Sequence, residues 1–230
     1  MSQVKGLIVP PEDPQIKQIA SVRRPSFDRA NSIIVGNSAQ VDVCFIGDSI
    51  TESFEVGVYF HDLGVVINRG IGFDTLSHTN LRLEADLLQL RPKVGVFLCG
   101  VNDLSTIWRK YISGEKVTEE DFDKTFNLMK EQYDQIFDKC LRAKQNMIFC
   151  SILPVGVDDV QNPAIRRANT YIKEMCEKYS FDFADYYSAL VDEKGILKDV
   201  TFGDLLHPHV EGYNVMAQVI KPILIKNLGK

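Results

Sequence analysis

The sequence predicts an α/β fold in which a central, mainly five-stranded parallel sheet lies between two helical layers, a three-layer α/β/α sandwich. Short, β-branched apolar runs alternate along the chain with longer stretches whose apolar residues recur every three or four positions. Each short run is apolar almost throughout, which is typical of strands covered on both faces. Alternation of strand and helix then favours right-handed crossovers and parallel pairing.

The five strand candidates are short and nearly continuous in apolar residues. They are Val41–Gly47, Gly64–Asn68, Val94–Cys99, Met147–Leu153 and Phe181–Ala184. In an open parallel sheet the ligand site lies at the carboxyl ends of the strands. The residues that directly follow each strand are therefore the candidates for function.

The clearest helical pattern runs from Thr118 to Lys144, with apolar residues at three- and four-residue steps. These residues are Phe122, Phe126, Met129, Tyr133, Ile136, Phe137 and Cys140. Thr118, followed three residues later by Asp121, resembles a capping box at the start of this helix. Pro163 and Pro208 each predict the first turn of a further helix, because proline is favoured there.

Composition and charge fit one globular domain and exclude several partner classes. The 230 residues predict a single domain over 1–230, with 1–36 as an N-terminal extension and a helix packed on it. The formal net charge is −5 without a long run of either sign, so no nucleic-acid partner is expected. No apolar stretch approaches membrane-spanning length, and Met1–Pro14 lacks the apolar core of a signal peptide, so no membrane partner is expected either. A homo-oligomer is compatible with the sequence.

The cysteines indicate a reducing, cytoplasmic location. There are five, and no two lie at Cys-x-x-Cys spacing: Cys44, Cys99, Cys140, Cys150 and Cys176. An odd number without a secretory signal favours free thiols over a disulfide framework. Three of them lie inside apolar strand candidates, so we expect all five to act as small hydrophobic residues of the core.

A serine follows the first strand candidate in the segment Gly47–Thr51. A serine at a helix N-terminus has its hydroxyl in the positive field of the backbone, which suits a nucleophile. Helix capping explains the same serine equally well, because serine is a favoured N-cap residue. The segment is not the G-x-S-x-G turn of the α/β-hydrolases, since Thr51 stands where the second glycine would be.

Two further segments follow the second and third strand candidates. Residues 68–74 (Asn-Arg-Gly-Ile-Gly-Phe-Asp) have a partial glycine pattern, but Thr75 stands where a dinucleotide fingerprint needs its last glycine. Residues 100–103 (Gly-Val-Asn-Asp) are a turn sequence in which the Asn102 amide is a candidate neutral donor.

Near the end of the chain, Asp204 lies three residues before His207 and just ahead of Pro208. An aspartate at that spacing can reach the imidazole within one turn and fix its tautomer. His209 we interpret as a solvated or helix-capping residue. Asp204, His207 and His209 alone are too few ligands to indicate a metal site, so no metal is expected.

Together, and in this order, the segments resemble the SGNH, or GDSL-type, hydrolase family. The quoted segments are Gly47–Ile50, Asn68–Gly72, Gly100–Asp103 and Asp204–Pro208. Within the family, these motifs are most similar to those of platelet-activating-factor acetylhydrolases and bacterial acetylesterases. The resemblance covers nearly the whole chain from about Val41. It implies a flavodoxin-like sheet and an ester hydrolase that needs no cofactor.

By this resemblance Ser49 is the nucleophile, His207 its base and Asp204 the orienting carboxylate. The implied oxyanion hole comprises the backbone N–H of Ser49, the Asn102 amide and a second backbone N–H. The family usually has a glycine at that last place, where this chain has Phe73. If the position requires a positive φ, phenylalanine is strained there, and its bulk is expected to shorten the acyl site.

The expected substrate is a short acyl, above all acetyl, ester of a polar alcohol. Asp48, Gly72 and Trp108 are the expected substrate-binding residues, with Trp108 as an aromatic platform near the ligand end of the sheet. Trp108 fits equally well as a core anchor under a loop. The alternatives are an acyltransferase using the same acyl-enzyme, a non-catalytic carbohydrate-binding relative, and a nucleotide or flavin binder on the same sheet.

Overall fold

The central sheet is parallel throughout. The computed structural model describes residues 6–9, 20–156 and 158–230, without the side chains of residues 20–22 and 158–159. Within these ranges the strands are β1 (Val43–Gly47), β2 (Val66–Gly70), β3 (Val94–Leu98), β4 (Met147–Cys150) and β5 (Asp182–Ala184). They pair in the order β2-β1-β3-β4-β5, the flavodoxin-like order. The predicted α/β fold with a five-stranded parallel sheet is confirmed.

Four of the five strands are shorter than their apolar runs, whereas β2 has the predicted length but lies two residues later in the chain. β2 starts at Val66 because Gly64 has φ +103°, outside the strand region. β4 ends at Cys150 because the backbone N–H and C=O of Ile152 both bond to the Asn169 side chain, at 2.7 and 2.9 Å, instead of to a neighbouring strand. Ile152 and Leu153, beyond the end of β4, are therefore buried without belonging to the strand.

Helices cover both faces of the sheet. In the described part of the chain the α-helices are α1 (Ala20–Gly36), α2 (Ser49–Glu52), α3 (Val56–Tyr59), α4 (Leu76–Asp86), α5 (Ser105–Ile112), α6 (Glu119–Arg142), α7 (Asp158–Tyr179), α8 (Tyr186–Leu190) and α9 (Val210–Leu228). Helices α4, α6 and α7 pack in succession, and α9 packs on α8. α9 also reaches the segment after α2, where the rings of Tyr213 and Phe54 stack at 5.0 Å.

Helix starts follow their capping residues. The capping box of Thr118 and Asp121 at the start of α6 is confirmed. The prediction from Pro163 is wrong, because α7 already begins at Asp158 and holds the proline in its interior. The prediction from Pro208 is also wrong, because His209 caps α9 by accepting from Glu211 N–H, so that the proline precedes the cap. The capping interpretation of His209 is confirmed.

All five cysteines are free and buried, which confirms their prediction as core residues. Burial raises the pKa of the Cys44 and Cys140 thiols to about 12. The predicted N-terminal helix packs on α4, where Asn31 Nδ2 donates to Asp86 Oδ1 at 2.9 Å; residues 1–5 and 10–19 of the predicted extension lie outside the described residues. A single domain over 1–230 stays a prediction.

No helix in the described ranges is both long and apolar enough to cross a membrane. The strand order sets where a ligand site can form. β1 lies between β2 and β3, so the loops after β1 and β3 diverge at its carboxyl end and leave a crevice. Ser49 follows β1 and Asn102 follows β3, on either side of this crevice.

Candidate active site

Ser49 is the first residue of α2, and its hydroxyl does not cap that helix. Asp48 is the N-cap instead, with Oδ1 accepting from Ile50 N–H at 3.0 Å. Gly47 is needed just before, because a Cβ there would lie 1.9 Å from the carbonyl oxygen of Leu98 in β3. The capping alternative for Ser49 therefore does not hold, and its hydroxyl is available for other contacts.

A chain of hydrogen bonds connects Ser49 to the loop before α9. Ser49 Oγ lies 2.8 Å from His207 Nε2, although 158 positions separate them in the sequence. His207 Nδ1 in turn lies 2.6 Å from Asp204 Oδ2. An imidazole held in this way can take a proton from the hydroxyl on one side while the carboxylate stabilises the positive charge on the other.

The second carboxylate oxygen of Asp204 accepts hydrogen bonds from the backbone of its own loop. Oδ1 accepts from the backbone N–H groups of Leu206 and His207, at 3.1 and 3.0 Å. Partial burial raises the pKa of Asp204, but its hydrogen bonds from the His207 ring and these two N–H groups outweigh burial and bring it below its ordinary value. Asp204 is therefore ionised at neutral pH and is an acceptor for His207 Nδ1–H.

Leu205, between the aspartate and the histidine, has φ +58°. Its carbonyl accepts from Gly156 N–H at 2.7 Å. A Cβ on Gly156 would lie 2.8 Å from Leu205 Cβ, so only glycine allows this close contact. The segment after β4 thus stabilises a left-handed turn that leucine alone disfavours.

The opposite wall of the crevice is formed by the segment after β2. Phe73 has φ +66°, so the position does require the left-handed region, and among the described residues its N–H has no hydrogen-bond partner. The Phe73 side chain is 71% exposed. This exposure gives no support to the expectation that its bulk shortens the acyl site.

Asn102 and Asp103 connect this wall to β3. Asn102 Nδ2 donates to the Asp74 carbonyl at 2.9 Å, and Asp103 Oδ2 accepts from Leu76 N–H at 3.0 Å. An amide nitrogen has two hydrogens, so Asn102 keeps a second donor for a ligand. The N–H of Phe73 and the amide of Asn102 are thereby fixed on neighbouring loops.

Two of the expected substrate-binding residues have other contacts. Asp48 is 1% exposed and caps α2, and burial raises its pKa to about 7. Its carboxylate is therefore not presented to a ligand. Gly72 donates its N–H to Glu52 Oε2, but a Cβ at Gly72 would lie 3.8 Å from Ser49 Cβ. The missing side chain leaves space beside the serine.

Trp108 lies on α5 at the rim of a cavity of about 180 Å³. It is half-buried, and its ring lies 5.6 Å from the ring of Tyr111. The cavity is lined by Val101, Asn102, Ser105, Trp108, Val155, Gln161, Asp204, Leu205 and Leu206. Trp108 thus shares one cavity with Asn102 and Asp204, as its interpretation as a substrate platform requires.

Arg82, in the middle of α4, bonds to several of the chain segments that surround the crevice. It is buried and donates to the carbonyls of Gly47 and Arg69, at 2.8 and 2.6 Å, and to the carboxylates of Asp74 and Asp86. Burial lowers the pKa of Arg82, but the two carboxylates outweigh it. The end of β1, the end of β2 and the Phe73 loop are thus held by one guanidinium. The sequence did not indicate this role, because Arg82 lies inside a helix and belongs to none of the segments that follow a strand.

In the described part of the chain, no group of three His, Cys, Asp or Glu side chains is arranged to hold a metal ion. The donor set at the crevice consists of a hydroxyl, an imidazole, a carboxylate, an amide and backbone N–H groups. Such a set suits attack on a carbonyl carbon and stabilisation of the resulting oxyanion.

Comparison with known proteins gives the family. A model described as the GDSL-like lipase/acylhydrolase family matches residues 45–215, well over half of the chain. The chain belongs to this family. The GDSL match includes Ser49, Asn102, Asp204 and His207, and it confirms the resemblance drawn from the sequence segments.

Individual relatives of this GDSL protein are distant in sequence. An acetylxylan esterase from Geobacillus stearothermophilus is 23% identical, over 76% of this chain and 89% of its own. Two solved structures are each 24% identical: an acylhydrolase candidate from Bacteroides fragilis (TM-score 0.71; 92% of this chain and 99% of that one) and a GDSL-like lipase from Bacteroides thetaiotaomicron (TM-score 0.69; 88% and 97%). The structures share the fold, and membership of the GDSL family makes this protein a carboxylic ester hydrolase.

Proposed function

We propose that this GDSL-family esterase hydrolyses short-chain acyl esters, above all acetyl esters, of a polar alcohol through an acyl-enzyme on Ser49. One observation carries the assignment of the site residues. The hydrogen-bond chain from Ser49 Oγ through His207 to Asp204 is complete, at 2.8 and 2.6 Å. It lies at the carboxyl end of the sheet, where ligands of such folds bind.

Acylation uses these groups in order. His207 Nε2 takes the Ser49 proton as Oγ bonds to the ester carbonyl carbon, whose π electrons move onto the carbonyl oxygen. The backbone N–H groups of Ser49 and Phe73 and the second Asn102 amide hydrogen stabilise this oxyanion. As the tetrahedral intermediate collapses, the C–O bond to the alcohol breaks and His207 gives its proton to the leaving oxygen.

Deacylation repeats the sequence with water. His207 takes a proton from water as the water oxygen attacks the acyl carbon, and it returns the proton to Ser49 Oγ as the ester bond to serine breaks. Asp204 stays ionised throughout and orients the imidazole. The products are the carboxylic acid and the regenerated hydroxyl, so the scheme needs no metal or cofactor.

Asn102→Ala is expected to lower kcat by about 10²- to 10³-fold and to leave KM nearly unchanged, because an oxyanion donor acts mainly in the transition state. Initial rates with an acetyl ester over a range of concentrations separate the two constants. Thermal unfolding of the same variant reports the loss of the Asn102–Asp74 bond independently.

Asn102→Asp is the matched control for shape. It replaces the donor with an acceptor, so kcat should fall at least as far as in Asn102→Ala. A variant that mainly raises KM would show that Asn102 binds substrate in the ground state and does not stabilise the oxyanion.

The short acyl preference is supported by one of the relatives. The acetylxylan esterase among them acts, by its name, on an acetylated polysaccharide. A relative with such a substrate favours a small acyl group on a polar alcohol over a long-chain lipid.

A series of 4-nitrophenyl esters of rising acyl length, run beside acetylated sugars, tests the acyl preference. Acetyl and butyryl esters should be cleaved far faster than octanoyl or longer ones, because the relative that supports this proposal acts, by its name, on a two-carbon acyl group. Equal or better turnover of the long chains would refute the short-acyl assignment.

Phe73→Gly is the control variant in this series. Because the Phe73 ring is exposed and the proposed donor is its backbone N–H, the length profile should stay that of the unmodified protein. Glycine also adopts a positive φ without the strain of about 1–2 kcal/mol per residue that a side chain brings. A shift toward longer acyl chains in Phe73→Gly would mean that the ring does limit the acyl site.

We further propose a cytoplasmic location with a small-molecule ester as the partner. The five free, buried thiols support a reducing compartment, where cysteines remain unpaired. Cell fractionation with an antibody to the protein tests the location, and recovery in a secreted fraction would refute it.

A further inference from the structure

Gln161 is an unusual lining residue of the cavity beside Asn102. It lies near the start of α7 and is only 9% exposed, yet it borders the cavity together with Trp108 and Ser105. Among the described residues its side-chain amide has no hydrogen-bond partner. No sequence pattern singled it out.

Two other side-chain amides of α7 form hydrogen bonds with the backbone through both their oxygen and their nitrogen. Asn162 Oδ1 accepts from Val155 N–H at 3.0 Å, and its Nδ2 donates to the Val155 carbonyl at 2.8 Å. Asn169 makes the same pair of bonds with Ile152, at 2.7 and 2.9 Å. These two side chains hold the segment after β4 in place. Gln161 lies beside them in the sequence but makes no hydrogen bond to the backbone of that segment.

No fully buried side-chain polar atom in the described part of the chain lacks a hydrogen-bond partner, so the unbonded Gln161 amide is open to the cavity that it lines. Its oxygen and its two hydrogens are available to a polar group that enters the cavity. A plain alkyl chain in the same place would leave them unpaired. The cavity therefore favours a ligand that carries hydroxyl groups.

The neighbouring side chains favour the same ligand. The Trp108 ring offers an apolar face, and the Ser105 hydroxyl is a second donor and acceptor at the edge of the cavity. A ring with hydroxyls at its edge and C–H groups on its face matches both. The carbonyl oxygen is the one polar atom of an acetyl group, and in the proposed mechanism it faces the oxyanion donors. A hydroxyl that reaches Gln161 must then belong to the alcohol.

We propose that Gln161 is a specificity-determining residue that bonds a hydroxyl of the alcohol portion while Trp108 supports its ring. This inference rests on the proposed function, since it assigns the alcohol portion of the ester that Ser49 attacks. The alcohol class it selects is a cyclic polyol, that is, a sugar unit.

The test compares two acetyl esters that share the reacting group and differ in the alcohol. They are 4-nitrophenyl acetate, which has no hydroxyl, and a mono-acetylated methyl glycoside. In Gln161→Leu, kcat/KM for the glycoside should fall about 10- to 100-fold, as for loss of one or two buried hydrogen bonds. The value for 4-nitrophenyl acetate should stay within about threefold, and thermal stability should not fall, because the Gln161 side chain makes no hydrogen bond within the described residues that leucine would remove.

Asn169→Ala is the matched control on the same helix. It removes an amide that bonds backbone, so it should lower the melting temperature and leave the ratio of the two kcat/KM values unchanged. An equal fall with both esters in Gln161→Leu, or no fall with the glycoside, would overturn the inference.

The two proposals can fail separately. An unmodified protein that cleaves 4-nitrophenyl acetate but no acetylated glycoside would overturn the assignment of Gln161 and leave the serine mechanism standing. An unmodified protein that cleaves neither ester and takes up no fluorophosphonate would overturn both.

Discussion

Ser49→Ala should abolish covalent labelling by a fluorophosphonate and lower kcat for acetyl esters by about 10⁵- to 10⁶-fold. The Ser49 hydroxyl lies 2.8 Å from His207 Nε2, and Asp48 rather than Ser49 caps α2, so the hydroxyl faces a group that can accept its proton. Alanine removes the atom that attacks the carbonyl in the proposed mechanism. Intact-mass spectrometry after incubation with the probe should show one adduct on the unmodified protein and none on the variant.

Ser151→Ala is a sharp control, because Ser151 also follows a parallel strand directly. Its Oγ is buried and accepts from Tyr187 N–H at 2.8 Å, so it stabilises the start of α8 and is closed to an ester. We expect this variant to keep both the adduct and the rate. An adduct that persists in Ser49→Ala would refute the assignment of the nucleophile.

The fold was predictable from the sequence because burial on both sides of a parallel sheet leaves continuous apolar runs. Strand ends were less predictable, since hydrophobicity reports burial and not backbone pairing. Ile152 and Leu153 illustrate the difference. Both are buried, but Asn169 takes the backbone bonds of Ile152 that a longer β4 would have given to a neighbour.

The site was predictable where its residues follow strands or share a short segment. Ser49 follows β1, Asn102 follows β3, and Asp204 and His207 lie three residues apart. Which residue of the Asp48–Ser49 pair caps α2 was not predictable, because both types are good caps and the decision depends on where His207 lies. That contact spans most of the chain.

Residues that act through long-range contacts left no local pattern. Arg82 lies within a helix, and only the folded chain brings its guanidinium to the carbonyls of Gly47 and Arg69. Gln161 is equally ordinary in the sequence, and its significance comes from the bonds it does not make. For Phe73 the sequence anticipated a positive φ, but the exposed direction of the ring depends on the surrounding loops.

The carboxylate of Asp204 makes a second prediction of large effect. Asp204→Asn should lower kcat by about 10⁴-fold and leave KM nearly unchanged, as expected when the imidazole is held in the wrong tautomer. Asparagine can keep its Oδ1 on the N–H groups of Leu206 and His207, so the turn should persist. Its NH₂ group then faces His207 Nδ1, which must become an acceptor, and Nε2 carries the proton and no longer accepts one from Ser49.

The pH profile and a nearby aspartate complete this test. Because its pKa lies below the ordinary value, Asp204 stays charged from pH 5 upward, and its contribution is lost only as the pH falls through that lowered value. The activity of the unmodified protein should therefore not be lost through protonation of Asp204 above pH 5, and should fall as the pH drops through the lowered pKa of this carboxylate. Asp199→Asn, an exposed aspartate five residues earlier, should keep both the rate and the profile. If Asp204→Asn retained the unmodified rate, His207 could not be the base that Asp204 orients.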